Sequence, residues 1–228
     1  MDAAEILIRD KTLKAWRFLY ARGFIEGFGH ISSRLPGSDQ FLISRHSLGP
    51  KADSEDLLLF DMEARKLAGE GDPPGEFPIH LEIYRARPDV GSVIHYHGLY
   101  ATSFTSSEQT LRPIHVLGSI FNDGIPVYGD AKLVSNPQRG QALAKALGPH
   151  RAALMRAHGA VVTGSDVEES VAAAFLLEDN AHRAYVSCAL GKPVWLDDQT
   201  AAEAREELLK TRGPFRRIWA LVESDTED

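Results

Sequence analysis

One stretch constrains this chain more than any other: Val93-Ile94-His95-Tyr96-His97. An apolar run leads into two histidines at i and i+2. On extended backbone, side chains alternate between faces, so His95 and His97 point one way and Tyr96 the other. Two imidazoles side by side on a rigid strand make half of a metal site, and neutral imidazole is the commonest side-chain metal ligand. The pair alone equally describes two surface histidines on an edge strand. The rest of the chain decides between these readings.

Around that strand, helical and extended patterns alternate. Residues 3–22 read as a helix, with Ile6, Leu7, Leu13, Trp16, Leu19 and Tyr20 near one stripe and Gly23 at the stop. A glycine-punctuated turn from Gly27 leads into a short strand, and a turn at residues 36–39 joins it to a partner at 40–44. Leu57 to Asp61 reads as a buried strand. Residues 68–75 hold three glycines and two prolines and must form a loop, where function concentrates. A helix is predicted over 78–87, with Pro78 in its first turn. Residues 90–97 form the central strand, and a short helix is predicted near 101–107. Asn136 caps a helix to Leu147, and strands at 153–155 and 160–163 flank His158. A long helix runs over 166–190 and another over 201–210. Short turns between strands predict one α/β domain over 1–228 with a mixed or largely antiparallel sheet.

Composition removes several function classes. The formal net charge is −7, and no basic stripe appears, which argues against nucleic acid as a partner. No window approaches the roughly 20 apolar residues that span a bilayer. The N-terminal Met-Asp-Ala-Ala-Glu lacks the basic and apolar regions of a secretory signal. The single Cys188, in an alanine-rich helix, reads as a buried, inert thiol and fits a reducing cytosol. A cytoplasmic protein is therefore expected. The acidic end from Glu223 to Asp228 reads as solvated and frayed.

His95 and His97 need a third ligand. His158 is the best candidate, because Gly159 beside it lets backbone and metal approach closely. Three histidines with one open position suit a catalytic divalent ion: zinc, manganese, iron or cobalt. Glu76, on the Gly/Pro loop, can serve as a fourth ligand or as the acid and base that moves a proton. Glu82 competes, but reads as an exposed ion pair with Arg85. The cluster Ser44-Arg45-His46-Ser47 follows a strand end, where arginine can grip a carboxylate or phosphate. His30 reads as a loop residue able to face substrate. His80, His115, His150 and His182 receive no role.

Together, Glu76 to His80, Tyr84 to Asp89, His95-Tyr96-His97 and His158-Gly159 resemble the class II aldolase/adducin family. The resemblance runs from Gly27 to the C-terminal helices. It implies a three-layer α/β/α fold with a mostly antiparallel sheet, and a homotetramer with active sites at subunit interfaces. It also implies metal bound by His95, His97 and His158, and Glu76 as acid/base. In the aldolases of this family the metal steadies an enediolate at carbon–carbon cleavage.

Several positions depart from the sugar-phosphate aldolases. Their Ser-Ser phosphate pair is Pro74-Gly75 here, an asparagine is His30, and Thr-Gly is Ser44-Arg45. Two tyrosines correspond to Val116 and Arg212. The replacements His30, Arg45, His46 and Arg212 are cationic or readily protonated, which suits a carboxylated small molecule without phosphate. The pattern is closer to the family's decarboxylase branch, which acts on hydroxylated aromatic or pyridine dicarboxylates. The expected activity is a metal-dependent carbon–carbon lyase, a non-oxidative decarboxylase. Alternatives are an aldolase for an unphosphorylated or carboxylated aldol, an iron-dependent oxygenase, and a non-catalytic adducin-like interaction module.

Overall fold

The strands are β1 (His30–Arg34), β2 (Gln40–Ser44), β3 (Leu57–Asp61), β4 (Lys66–Ala68), β5 (Ser92–Tyr96), β6 (Val127–Tyr128), β7 (Ala152–Met155) and β8 (Gly159–Gly164). In the computed structural model, which describes residues 3–225, they form one sheet in the order β4-β3-β2-β1-β5-β8-β7-β6. Every neighbouring pair is antiparallel except β6 with β7. Seven α-helices accompany them among the described residues: α1 (Ala3–Ala21), α2 (Phe77–Ala86), α3 (Leu99–Phe104), α4 (Pro137–Leu147), α5 (Val167–Leu190), α6 (Asp198–Thr211) and α7 (Gly213–Asp225).

The sheet is covered on both sides, giving the expected α/β/α layering. Strand alternation divides its side chains between two cores. Ile31, Leu42, Ile94 and Tyr96 pack with Trp16, Phe18 and Leu19 of α1, Leu177 of α5 and Phe215 of α7. Phe41, Ile43, Val93 and Val161 face the other way, onto Ile79 and Ile83 of α2 and Leu143 of α4. Each fully buried large side chain contributes roughly 1.5–3 kcal/mol of transfer free energy.

Caps sit where the sequence puts them. Asn136 accepts the Arg139 amide at the start of α4, and Asp166 accepts the Glu169 amide at the start of α5. Three details differ from expectation. Helix α6 starts at Asp198, capped by Asp197, ahead of the expected Ala201. Helix α7 covers a stretch to which the sequence reading assigned no element. Proline in a first turn forfeits no hydrogen bond, and Phe215, Ile218, Trp219 and Val222 form its buried stripe. The acidic end is helical through Asp225, whose carboxylate meets Arg22 at 2.6 Å. Residues 226–228 of that segment lie outside the described ones.

Two side chains also depart from their reading. Cys188 is half-buried. Glu82 pairs with Arg85 at 2.6 Å as expected, but is buried at 5% exposure. Among the described residues, no helix is long and apolar enough to cross a membrane.

Candidate metal centre

Four elements deliver the ligand candidates to one end of the sheet. His95 lies on β5 and His97 just beyond it, on the same face. Antiparallel pairing places His30 of β1 directly opposite His95. Glu76 stands at the N-terminal end of α2, and His158 sits in the tight turn between β7 and β8. That turn passes through Ala157 at φ +50°, a left-handed conformation that few non-glycine residues adopt.

Ligand atoms of Glu76, His95, His97 and His158 all lie within 4.8 Å of one another. His95 Nε2 is 3.0 Å from His97 Nε2 and 3.5 Å from Glu76 Oε2, and His158 Nε2 is 3.2 Å from that same oxygen. Zinc–nitrogen bonds of about 2.0–2.1 Å at tetrahedral angles put ligand atoms about 3.3 Å apart, so these separations fit a shared ion. His95 Nδ1–H donates to the Ala160 carbonyl at 3.0 Å, which leaves Nε2 as a lone pair aimed into the cluster. His158 is half-buried with both ring nitrogens enclosed, and the Glu76 carboxylate lies 3.2 Å from its Nε2 but outside hydrogen-bond geometry. Enclosed ring nitrogens without a satisfied hydrogen bond, beside a second lone pair and a carboxylate, fit a divalent cation.

Glycine makes this approach possible. A Cβ on Gly159 would meet the Tyr96 carbonyl oxygen at 2.5 Å, His97 Cδ2 at 2.8 Å and His95 Cε1 at 3.2 Å.

Electrostatics agree with an ionised Glu76 carboxylate and a neutral His97 ring. Burial alone would raise the Glu76 carboxyl, but the His158 and His95 rings and the Val134 amide outweigh it and hold it well below the usual carboxylate range. That amide donates to Glu76 Oε1 at 2.7 Å, leaving Oε2 to face the histidines. His97 is pushed down to about 4, chiefly by burial and then by His95 and His158.

Glu76 and His97 of the cluster open onto a cavity of about 230 Å³, lined also by His30, Arg45, His46 and Pro74. Not every expected residue keeps its expected state. His30 is buried, and burial first, then His80 and His95, push its imidazole well below its ordinary value; it is neutral rather than readily protonated. Arg45 reaches the rim but pairs with Asp56 at 2.5 Å. His46 is exposed, with Nδ1 2.6 Å from Ser47 Oγ.

Ser44 and Arg212 stand apart from the cavity. Ser44 shares the β2 face of Leu42, directed at the α1/α5 layer, and its Oγ accepts the Ile31 amide at 3.2 Å. Arg212 lies past the opposite end of β8, ion-paired with Asp166 at 2.7 Å. Val116, at the position of an aldolase tyrosine, is exposed and does not line the cavity.

Sequence reasoning missed a buried polar chain behind the centre. His30 Nδ1 meets His80 Nε2 at 2.6 Å, His80 Nδ1 meets Ser32 Oγ at 2.6 Å, and Ser32 Oγ meets Tyr84 OH at 2.8 Å. The signal was present: Glu76, His80 and Tyr84 repeat at i, i+4 and i+8, one face of α2, while His30 and Ser32 share a face of β1. Burial, with His95 adding to it, pushes His80 down to about 3.

The profile of the Class II Aldolase and Adducin N-terminal domain matches residues 10–185. The chain belongs to the class II aldolase/adducin family. Within the family, it is 33% identical over 215 residues to a protein named 3,4-dihydroxyphthalate decarboxylase from Rhodococcus jostii, covering 87% of this chain and 86% of that one. Its fold matches an aldolase II superfamily protein from Pseudomonas syringae with TM-score 0.87, at 21% identity over 99% of this chain and 94% of that one. L-fuculose 1-phosphate aldolase from Glaciozyma antarctica matches with TM-score 0.82, at 22% identity over 97% and 92%. The two structural matches establish the class II aldolase-like fold.

Proposed function

We propose that this chain is a metal-dependent carbon–carbon lyase that removes carbon dioxide, without oxidation, from a hydroxylated aromatic or pyridine (di)carboxylate. The observation that carries the reading is the convergence of Glu76, His95, His97 and His158 beside a cavity that Glu76 and His97 line and whose loop offers Pro74 and Gly75 where sugar-phosphate aldolases carry hydroxyls. Kinship with a protein named as a dihydroxyphthalate decarboxylase supports it.

His95, His97 and His158, with Glu76 within reach, would hold one divalent ion: zinc, manganese, iron or cobalt. When bound, that ion supplies Lewis-acid stabilisation of the negative charge left as carbon dioxide departs. The chain's own residues do the rest. His30 offers a ring nitrogen to a substrate oxygen, and His46 and the Arg45–Asp56 pair border the entrance. Glu76, ionised at rest, takes the hydroxyl proton of the arriving substrate. The bond from ring carbon to carboxylate breaks, its electron pair stays on the ring, and carbon dioxide leaves. Glu76 returns its proton to that carbon, and the phenolate regains one from solvent. We also propose a cytoplasmic homotetramer with active sites at subunit interfaces, as in relatives of this family.

The test is product analysis. Metal-loaded protein is incubated with 3,4-dihydroxyphthalate and related ortho-hydroxy carboxylates. One carbon dioxide per decarboxylated product supports the reading. An aldehyde released from an aldol substrate, with no carbon dioxide from any carboxylate, replaces it with the aldolase.

A further inference from the structure

The buried chain from Tyr84 to His30 has a direction, and proton counting fixes it. Tyr84 is 2% exposed, so its O–H must donate inside the protein. Its oxygen has one hydrogen-bond partner, Ser32 Oγ. Tyr84 therefore donates to Ser32. Ser32 has a single proton, and its other partner is His80 Nδ1, so that proton goes to His80. His80 is then a neutral ring carrying its proton on Nε2, and it donates to His30 Nδ1. Reversing the Tyr84–Ser32 bond leaves the buried Tyr84 hydroxyl without an acceptor, and reversing either of the other two puts the His80 proton on Nδ1 and leaves the Ser32 hydroxyl without one.

We propose that Tyr84, Ser32 and His80 act as positioning residues that lock His30 into the Nε2–H tautomer. The cavity then meets His30 as a neutral hydrogen-bond donor and not as a base. This rests on the reading that the cavity binds a hydroxylated aromatic carboxylate. The N–H of His30 grips an oxygen of that substrate beside the metal centre, and proton transfer to carbon falls to Glu76. His30 sits opposite His95 across β1 and β5, with ring centroids 4.9 Å apart, so the donor lies next to the centre. His80 touches no cavity surface, and of its two hydrogen-bond partners only His30 lines the cavity.

Two measurements test this. Nitrogen-15 NMR of histidine-labelled, zinc-loaded protein at neutral pH should show His30 and His80 each with a protonated Nε2 and a bare Nδ1. His30 seen as the Nδ1–H tautomer, or as imidazolium, overturns the proposal. In steady-state decarboxylation, His80→Ala should raise KM about tenfold, with kcat within about threefold and metal content unchanged. His80→Gln, whose amide can still donate to His30 Nδ1, should recover most of that loss. A metal-loaded His80→Ala protein with wild-type KM overturns it. If the wild type releases no carbon dioxide from any substrate but the NMR pattern holds, the functional reading fails and the tautomer assignment stands.

Discussion

Gly159→Ala probes how closely the metal centre is built against the sheet. The added Cβ would lie 2.5 Å from the Tyr96 carbonyl oxygen, 2.8 Å from His97 Cδ2 and 3.2 Å from His95 Cε1. The first contact is backbone and cannot yield without parting β5 from β8, whose ladder pairs Tyr96 with Ala160. The other two are ligand rings and can yield only by leaving their aim. Inserting one methyl into a packed site costs roughly 1–3 kcal/mol. That cost divides between two readouts. Displacement of backbone lowers the unfolding free energy of metal-free protein in urea. Displacement of the rings weakens metal binding, measured by competition with a chromophoric chelator. If the rings absorb all of it, Kd rises about 5- to 150-fold, at 1.4 kcal/mol per tenfold. The two losses should sum to roughly 1–3 kcal/mol. A variant with wild-type metal affinity and wild-type stability refutes the packing argument.

Three further outcomes follow from the same geometry. His80 titrates near 3 when folded and near 6.5 when unfolded, so below 6.5 the unfolded chain takes the proton first and stability falls with acid. Between pH 6.5 and 4.5 this one group removes roughly 2 kcal/mol, at about 1.4 kcal/mol per unit once the unfolded ring is mostly protonated, and His80→Gln should flatten the urea-derived slope by nearly one proton. Ser32→Ala strands the Tyr84 hydroxyl and His80 Nδ1, and should cost roughly 2–4 kcal/mol in urea unfolding; a loss under half of that speaks against a closed chain. Zinc at about one hundred times its Kd should add about 2.7 kcal/mol and raise Tm by about 5–10 °C, a rise that His158→Ala should abolish.

Much of this was legible because the relevant signals are local. The i, i+2 spacing of His95 and His97 on a strand, the Gly159 beside His158 and the Gly/Pro loop before Glu76 each carry their meaning within a few residues. The helix cap at Asn136 was equally local. What failed depended on which face or end of an element a residue occupies in three dimensions. Ser44 follows the parity of Leu42 and so points away from the centre, although Arg45 beside it reaches the rim. Arg212 shares a chain with the histidines but sits beyond the other end of β8. His80 looked idle because its partners, His30 and Ser32, are about fifty residues away and meet it only once α2 lies on the sheet.

The most direct test of the central claim is an anomalous difference map from crystals grown with zinc or manganese, recorded on both sides of the metal's absorption edge. The account predicts one peak per chain, about 2.0–2.2 Å from Nε2 of His95, His97 and His158, with Glu76 close by. No peak there, or a peak held by other residues, contradicts it.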